Sequence, residues 1–167
     1  MAGKKKGKRK PRAAEPPHFE HADLRGAELV DVDASGLVVN DARIAGASLS
    51  NVDLSKLVLD DANLCGAKLS NVDLSKLSLD DAKLRGARLG NVALDRMRLR
   101  DASAVGAKLE DVDLSRASIS DATLRGAVLD DVDLTDVRID NARVDGLVVN
   151  GVRIDKLLAE KPKKKKK

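Results

Sequence analysis

The chain predicts an all-β fold, a four-sided solenoid of about seven coils, on three observations from its 167 residues. An aliphatic residue returns at every fifth position without a slip. The pattern as a whole repeats every twenty residues. The interior must also be built almost without aromatic rings, because there is no Trp, no Tyr and one Phe, although apolar residues make up 43% of the chain. Rings normally supply much of the buried area of a globular core, so Leu, Val, Ala and Ile imply a narrow, repetitive one. Charged residues at 35% would permit disorder, but disorder also requires low hydrophobicity, which this chain lacks.

The long period is visible in the segments NVDLSKLVLDDANLCGAKLS (51–70) and NVDLSKLSLDDAKLRGARLG (71–90), identical at 15 of 20 positions. Inside it, Leu or a similar residue falls at 24, 29, 39, 44, 49, 54 and onward to Ile154, shrinking to a methyl only at Ala34, Ala104 and Ala159. A second apolar series runs two residues earlier, from Ala22 to Leu157. Steps of five advance about 500° on an α-helix and smear the leucines around it. On a flat strand an odd period sends alternate leucines to opposite faces. Two apolar positions two apart do share a strand face, so every pair stays inside only if the chain turns between five-residue units.

Sorted by twenty, the earlier series separates into columns: Ala22 to Ala142, Ala27 to Leu147, Val32 to Val152, and a mixed column from Leu37 to Leu157. Four units per coil, each turning about 90°, stack every column on itself. With coils ~4.8 Å apart the rod is roughly 35 Å long. Gly26, Gly46, Gly66, Gly86, Gly106, Gly126 and Gly146 form one corner column, as a positive φ or a tight corner requires. The opposite corner, with Gly36, Lys56, Lys76, Arg96, Arg116, Asp136 and Lys156, must tolerate a side chain.

The units ADLRG, VDLSK, ANLCG, AKLSN and VDLTD resemble the A-(D/N)-L-x-x signature of pentapeptide-repeat proteins over residues 17–160. The resemblance implies that family's right-handed quadrilateral β-helix, about seven coils of four pentapeptides. Its central Leu maps onto Leu24 through Ala159 and its small residue onto Ala22 through Leu157, both pointing inward. It also implies short strands and abundant turns. The chain then divides into a disordered basic tail (1–16), the solenoid (17–160) and a disordered Lys-rich tail (161–167).

The ends of such a stack need protection, since an open coil exposes backbone and core. Phe19, in phase with the leucine series, is expected to plug the first coil, with Pro16 and Pro17 at the boundary. At the other end Val148, Leu157 and Leu158 bring apolar residues to outward positions. That segment is either a short capping helix (154–161) or a surface for a homodimer.

Catalysis has little to work with. His18 and His21 near Asp23 have the weak spacing of a solvated boundary, so no metal site and no cofactor is expected. Cys65, the single cysteine, excludes an internal disulfide and reads as a tolerated surface thiol. The column Ser35, Ser55, Ser75 and Ser115 reads as turn hydrogen bonding. No small-molecule substrate is implied.

The net charge of +4 divides into +6 for residues 1–16, +6 for 161–167 and −8 for the body between. Lys4, Lys5, Lys6, Lys8, Arg9, Lys10, Arg12 and Lys163, Lys164, Lys165, Lys166, Lys167 suit a polyanion, nucleic acid first. Without aromatic partners such binding is independent of base sequence. Docking on an anionic membrane surface is the alternative from another class. On the rod, Asp33, Asp53, Asp73, Asp113 and Asp133 form an acidic face adjoining Asp31, Asp111 and Asp131. The resemblance implies that such a face can imitate DNA toward a type II topoisomerase such as gyrase. Ala93 interrupts the column and Lys56, Lys76, Arg96 and Arg116 offset it, and the carboxylates serve equally as structural partners of backbone. Arg25, Arg43, Lys83, Arg85, Arg125 and Arg143 make a different side basic, with Lys68, Arg88 and Lys108 on the next. With no secretory leader and no stretch of ~18 apolar residues, the chain reads as a soluble, cytoplasmic, bacterial scaffold: a non-enzymatic rod with a protein partner.

Overall fold

A computed structural model describes residues 18–160. They form a β-solenoid of about seven turns, the all-β architecture the two periods predict. One face stacks seven three-residue strands in parallel: β1 (His18–Glu20), β3 (Val38–Asn40), β5 (Val58–Asp60), β7 (Ser78–Asp80), β9 (Arg98–Arg100), β11 (Ser118–Ser120) and β13 (Arg138–Asp140). The opposite face stacks β2 (Glu28–Val30), β4 (Ser48–Asp53), β6 (Lys68–Asp73), β8 (Arg88–Ala93), β10 (Lys108–Asp113), β12 (Val128–Asp133) and β14 (Val148–Val149). Isolated parallel bridges run down a third side from Asp23 to Arg143. Every pairing between coils joins residue i to i+20, as in Leu69↔Leu89 and Leu89↔Leu109.

That register makes each sequence column a physical one. Leu59, Leu79 and Leu114 are almost wholly buried, as are Val72, Val92 and Val112. The alanine columns (Ala42, Ala62, Ala82 and Ala47, Ala67, Ala87) are equally closed, and among the described residues no polar or charged residue is buried. A narrow apolar void of about 110 Å³ follows the axis between the leucine layers. Branched aliphatic chains without rings meet there and do not quite fill the centre.

The coil stops before the sequence period does. Asn150 and Gly151, at φ 45° and 78°, reverse the chain, and β15 (Val152–Arg153) pairs antiparallel with β14. Two consecutive positive φ values are the requirement of a type I′ hairpin, which Asn-Gly meets at low strain. Val152 and Leu157 therefore leave the columns to which their phase assigned them. Helix α1 (Ile154–Ala159) follows and lays Ile154 on the core. The segment expected to be either a capping helix or a surface for a homodimer is helical over Ile154–Ala159, and Leu157 and Leu158 on it each remain 49% exposed. At the other end Phe19 takes the expected register with Val39 but is 54% exposed, so it only partly covers the first coil. No helix of the described residues is long and apolar enough to cross a membrane.

Candidate functional site

All four corners turn through the left-handed region, and they do it with different residues. The glycine corner (26 to 146) has φ of 62–70°. Its turns close by a backbone bond from the residue after the glycine to the residue two before it, as in Ala67 N–H to Leu64 O at 3.1 Å. Coils are joined there by bonds such as Gly66 N–H to Arg85 O at 2.9 Å and Gly106 N–H to Arg125 O at 2.9 Å. A positive φ at the third turn position is the type II pattern, suited to glycine. The diagonally opposite corner makes the same turn with Lys56, Lys76, Arg96 and Arg116 at φ 57–63°.

The other two corners use Asp and Asn, which tolerate this conformation better than other L-residues. Asp41, Asp61, Asp81, Asp101 and Asp121 stack along one of them at φ 48–53°. This unbroken carboxylate column was not singled out from sequence. Its signal was an Asp every twenty residues at the position equivalent to the glycine. Burial and the neighbouring charges of Asp80, Asp101, Asp61 and Asp60 push the Asp81 carboxyl above its ordinary pKa. On the remaining corner Asn51 Nδ2 donates to Asp31 Oδ1 at 3.1 Å and Asn71 Nδ2 to Asn51 Oδ1 at 3.2 Å, a side-chain ladder along the rod.

The column Asp33, Asp53, Asp73, Asp113 and Asp133 is in register, with Ala93 as its gap. Each carboxylate accepts a bond from the backbone N–H two residues on: Ser35 at 3.1 Å, and Ser55, Ser75, Ser115 and Thr135 at 2.8 Å. This is an Asx turn. Bonds to the Thr135 side chain and N–H hold Asp133 below the usual carboxylate range. The serines thus enter this bonding through backbone, with a hydroxyl contribution at Ser75, whose Oγ donates to Asp73 Oδ1 at 2.6 Å.

Cations segregate around the glycine corner. Lys68, Arg88 and Lys108 are direct register neighbours on one flank. Arg85 and Arg125 stand on the other flank, and all five are exposed. Beside the first column lies a shallow groove of about 380 Å³ whose floor carries Ser48, Ser50, Ser70 and Gly90. Arg125 approaches Asp145 at 3.8 Å, while Lys68, Arg85, Arg88 and Lys108 form no ion pair among the described residues.

The remaining candidates stay apart. His21 Nδ1 lies 3.0 Å from Asp41 Oδ2 and His18 Nε2 lies 3.8 Å from Glu20 Oε1, and among the described residues no three metal-binding side chains converge. Cys65 is half-buried, its Sγ 3.8 Å from the Lys83 carbonyl oxygen. The tail residues, Lys4 to Arg12 and Lys163 to Lys167, lie outside the described residues.

The model of the pentapeptide-repeat family matches eight copies across residues 42–76, 78–116 and 113–146, more than half the chain. The chain belongs to this family of β-solenoid repeat proteins. Among solved structures it is similar to a trypsin-treated form of QnrB1, described as a plasmid-mediated fluoroquinolone resistance protein. That match has 16% identity over 80% of this chain and 73% of that one, with a TM-score of 0.46. It is also similar to Rfr23 from the cyanobacterium Cyanothece 51142, at 22% identity over 78% and 89% of the chains and a TM-score of 0.43. A third is HetL from Nostoc sp. strain PCC 7120, involved in heterocyst differentiation regulation, at 21% identity over 78% and 90% with a TM-score of 0.26. No curated protein matches the chain in sequence.

Proposed function

We propose that this chain is a non-enzymatic binding rod of a bacterial cytoplasm: its lysine-rich tails hold it on nucleic acid while a face of the rod engages a protein. The observation that carries the reading is the in-register stacking of outward residues. It converts a twenty-residue repeat into straight columns of like side chains, with the apolar columns inside through the middle coils. Such a surface binds extended partners. The tails add charge without aromatic rings, which suits phosphates and not bases. A second copy on the C-terminal end, through Val148, Leu157 and Leu158, belongs to the same proposal and is read by sedimentation velocity.

A second reading, DNA mimicry toward a type II topoisomerase, is favoured by the column Asp41 to Asp121. The Asp33 column is the weaker candidate because Asx turns already engage its oxygens. One set of proteins tests both readings. Replacing the thirteen tail cations by Gln should weaken duplex binding and flatten its salt dependence. Unchanged affinity would remove the tails from the proposal. In a gyrase supercoiling assay the parent should inhibit, and Asp61→Asn, Asp81→Asn and Asp101→Asn together should erase the effect. No effect of the parent at micromolar concentration would sink the mimicry reading.

A further inference from the structure

We propose that the glycine corner of the rod is itself a phosphate-backbone-binding ridge for nucleic acid, with Lys68, Arg85, Arg88, Lys108 and Arg125 as its contacts. This site stands on the rod and does not rest on the tails.

The body of the chain is acidic, −8 over residues 17–160, yet these five cations gather on the two flanks of one corner. The corner between them bears no side chain. A Cβ built on Gly66, Gly86, Gly106 or Gly126 meets nothing within 4 Å, so a partner can approach the backbone closely. The five charges span four coils, about 14 Å at strand spacing. That is about one charge per 3 Å, close to the ~3.4 Å of helix axis per phosphate of one strand of duplex DNA. Register pairing keeps the Lys68–Arg88–Lys108 line straight.

The diagonally opposite corner sets its cations among more carboxylates. Lys56, Lys76, Arg96 and Arg116 stand between the Asp53, Asp73 and Asp113 column and the face bearing Asp60 and Asp80, and Arg96 is paired to Asp95 at 2.9 Å. Lys56, Lys76 and Arg116 form no ion pair among the described residues, but carboxylates flank this corner on both sides. On the glycine corner the nearby acids gather toward one end of the ridge: Asp145 near Arg125, and Glu110 with its register neighbour Asp130 beyond Lys108.

Other occupants fit less well. No exposed large apolar residue lies on the two flanks between Gly66 and Gly126, so the ridge has nothing to insert into a bilayer. Backbone N–H groups at the corner are already bonded from coil to coil, which leaves an acidic peptide no strand edge to extend. Cations without rings address phosphates and leave the bases unread.

The test uses the full chain and a short fluorescein-labelled duplex DNA of arbitrary sequence, with anisotropy read between about 50 and 200 mM salt. Each phosphate contact contributes about −0.9 to the log–log salt slope. Combining Lys68→Gln, Arg88→Gln and Lys108→Gln should therefore flatten the slope by up to about 2.7. The chain with Gln in place of the tail cations should retain weak, salt-sensitive binding, and adding the corner changes should abolish it. Lys56→Gln, Lys76→Gln and Arg116→Gln, on the opposite corner, remove equal charge and should leave the slope within about 0.5 of the parent. If the triple corner variant does not fold, Arg88→Gln alone should still lower the slope by about 0.9. Equal losses from the two corners would overturn the site in favour of net charge. Absence of DNA binding by the tail-neutralised chain would overturn it while leaving the tail reading intact. Capture by vesicles of anionic lipid, lost in the corner variant and without matching DNA binding, would overturn it in favour of a membrane.

Discussion

Lys76 sits at φ 62°, where an L side chain crowds its own carbonyl at a cost of about 1–2 kcal/mol. Lys56, Arg96 and Arg116 bear the same strain one coil apart. Glycine removes the crowding but loses about 0.4–1 kcal/mol through its freer unfolded chain. Lys76→Gly should accordingly stabilise the rod by up to about 1 kcal/mol, read as a higher urea midpoint at unchanged slope. Lys76→Val, β-branched, should lower it. An unchanged midpoint in both would remove strain as the reason this corner differs. Part of this geometry was legible in the sequence. The glycine column announces a positive φ because glycine is strongly enriched where one is required. Asp and Asn at the neighbouring corners announce it more softly, because they also serve as charges and turn partners, so the column from Asp41 to Asp121 does not stand out in the sequence.

The C-terminal cap solves a problem that every stacked coil faces. Gly126 N–H donates to Asp145 O of the next coil, but among the described residues no further coil lies above Gly146, and the Asp155 carboxylate accepts its N–H at 3.1 Å instead. Arg153 bonds the same carboxylate, and the two partners, Arg153 first, hold Asp155 well below the usual carboxylate range. A folded-state pKa below the unfolded ~3.9 means a contribution present above pH ~4 and lost as pH falls through the folded value. Asp155→Ala should therefore lower the melting temperature at pH 7 and narrow its gap to the parent toward pH 2. A constant gap would assign the loss to packing. The cap was hidden in the sequence for a specific reason. Val152, Ile154, Leu157 and Ala159 keep the five-residue phase, so the hydrophobic pattern continues where the backbone reverses at Asn150–Gly151.

For the whole molecule, the period of five and the period of twenty contain nearly all of the architecture. Phase alone places Leu59 over Leu79 and Val72 over Val92, and the structure stacks them so. Surface chemistry was less legible, because a charge is exposed in either case and only the fold decides what stands beside it. Arg100 illustrates this: it reaches back one full coil to pair with Asp80, twenty residues away. Lys68 and Arg88, equally charged, find no such partner among the described residues and stay available.

Register at i+20 also makes one coil a heritable unit. Removing residues 71–90 joins Ser70 to Asn91, the same junction type as Ser70 to Asn71, and returns every column to itself. The product should be a cooperative rod shorter by ~4.8 Å, melting at a lower temperature, whereas removal of 71–89 should leave no cooperative transition in calorimetry. The 15 shared residues between neighbouring coils fit growth by duplication of such units. On that view length is inherited in whole turns, and reach can evolve without redesign of the core.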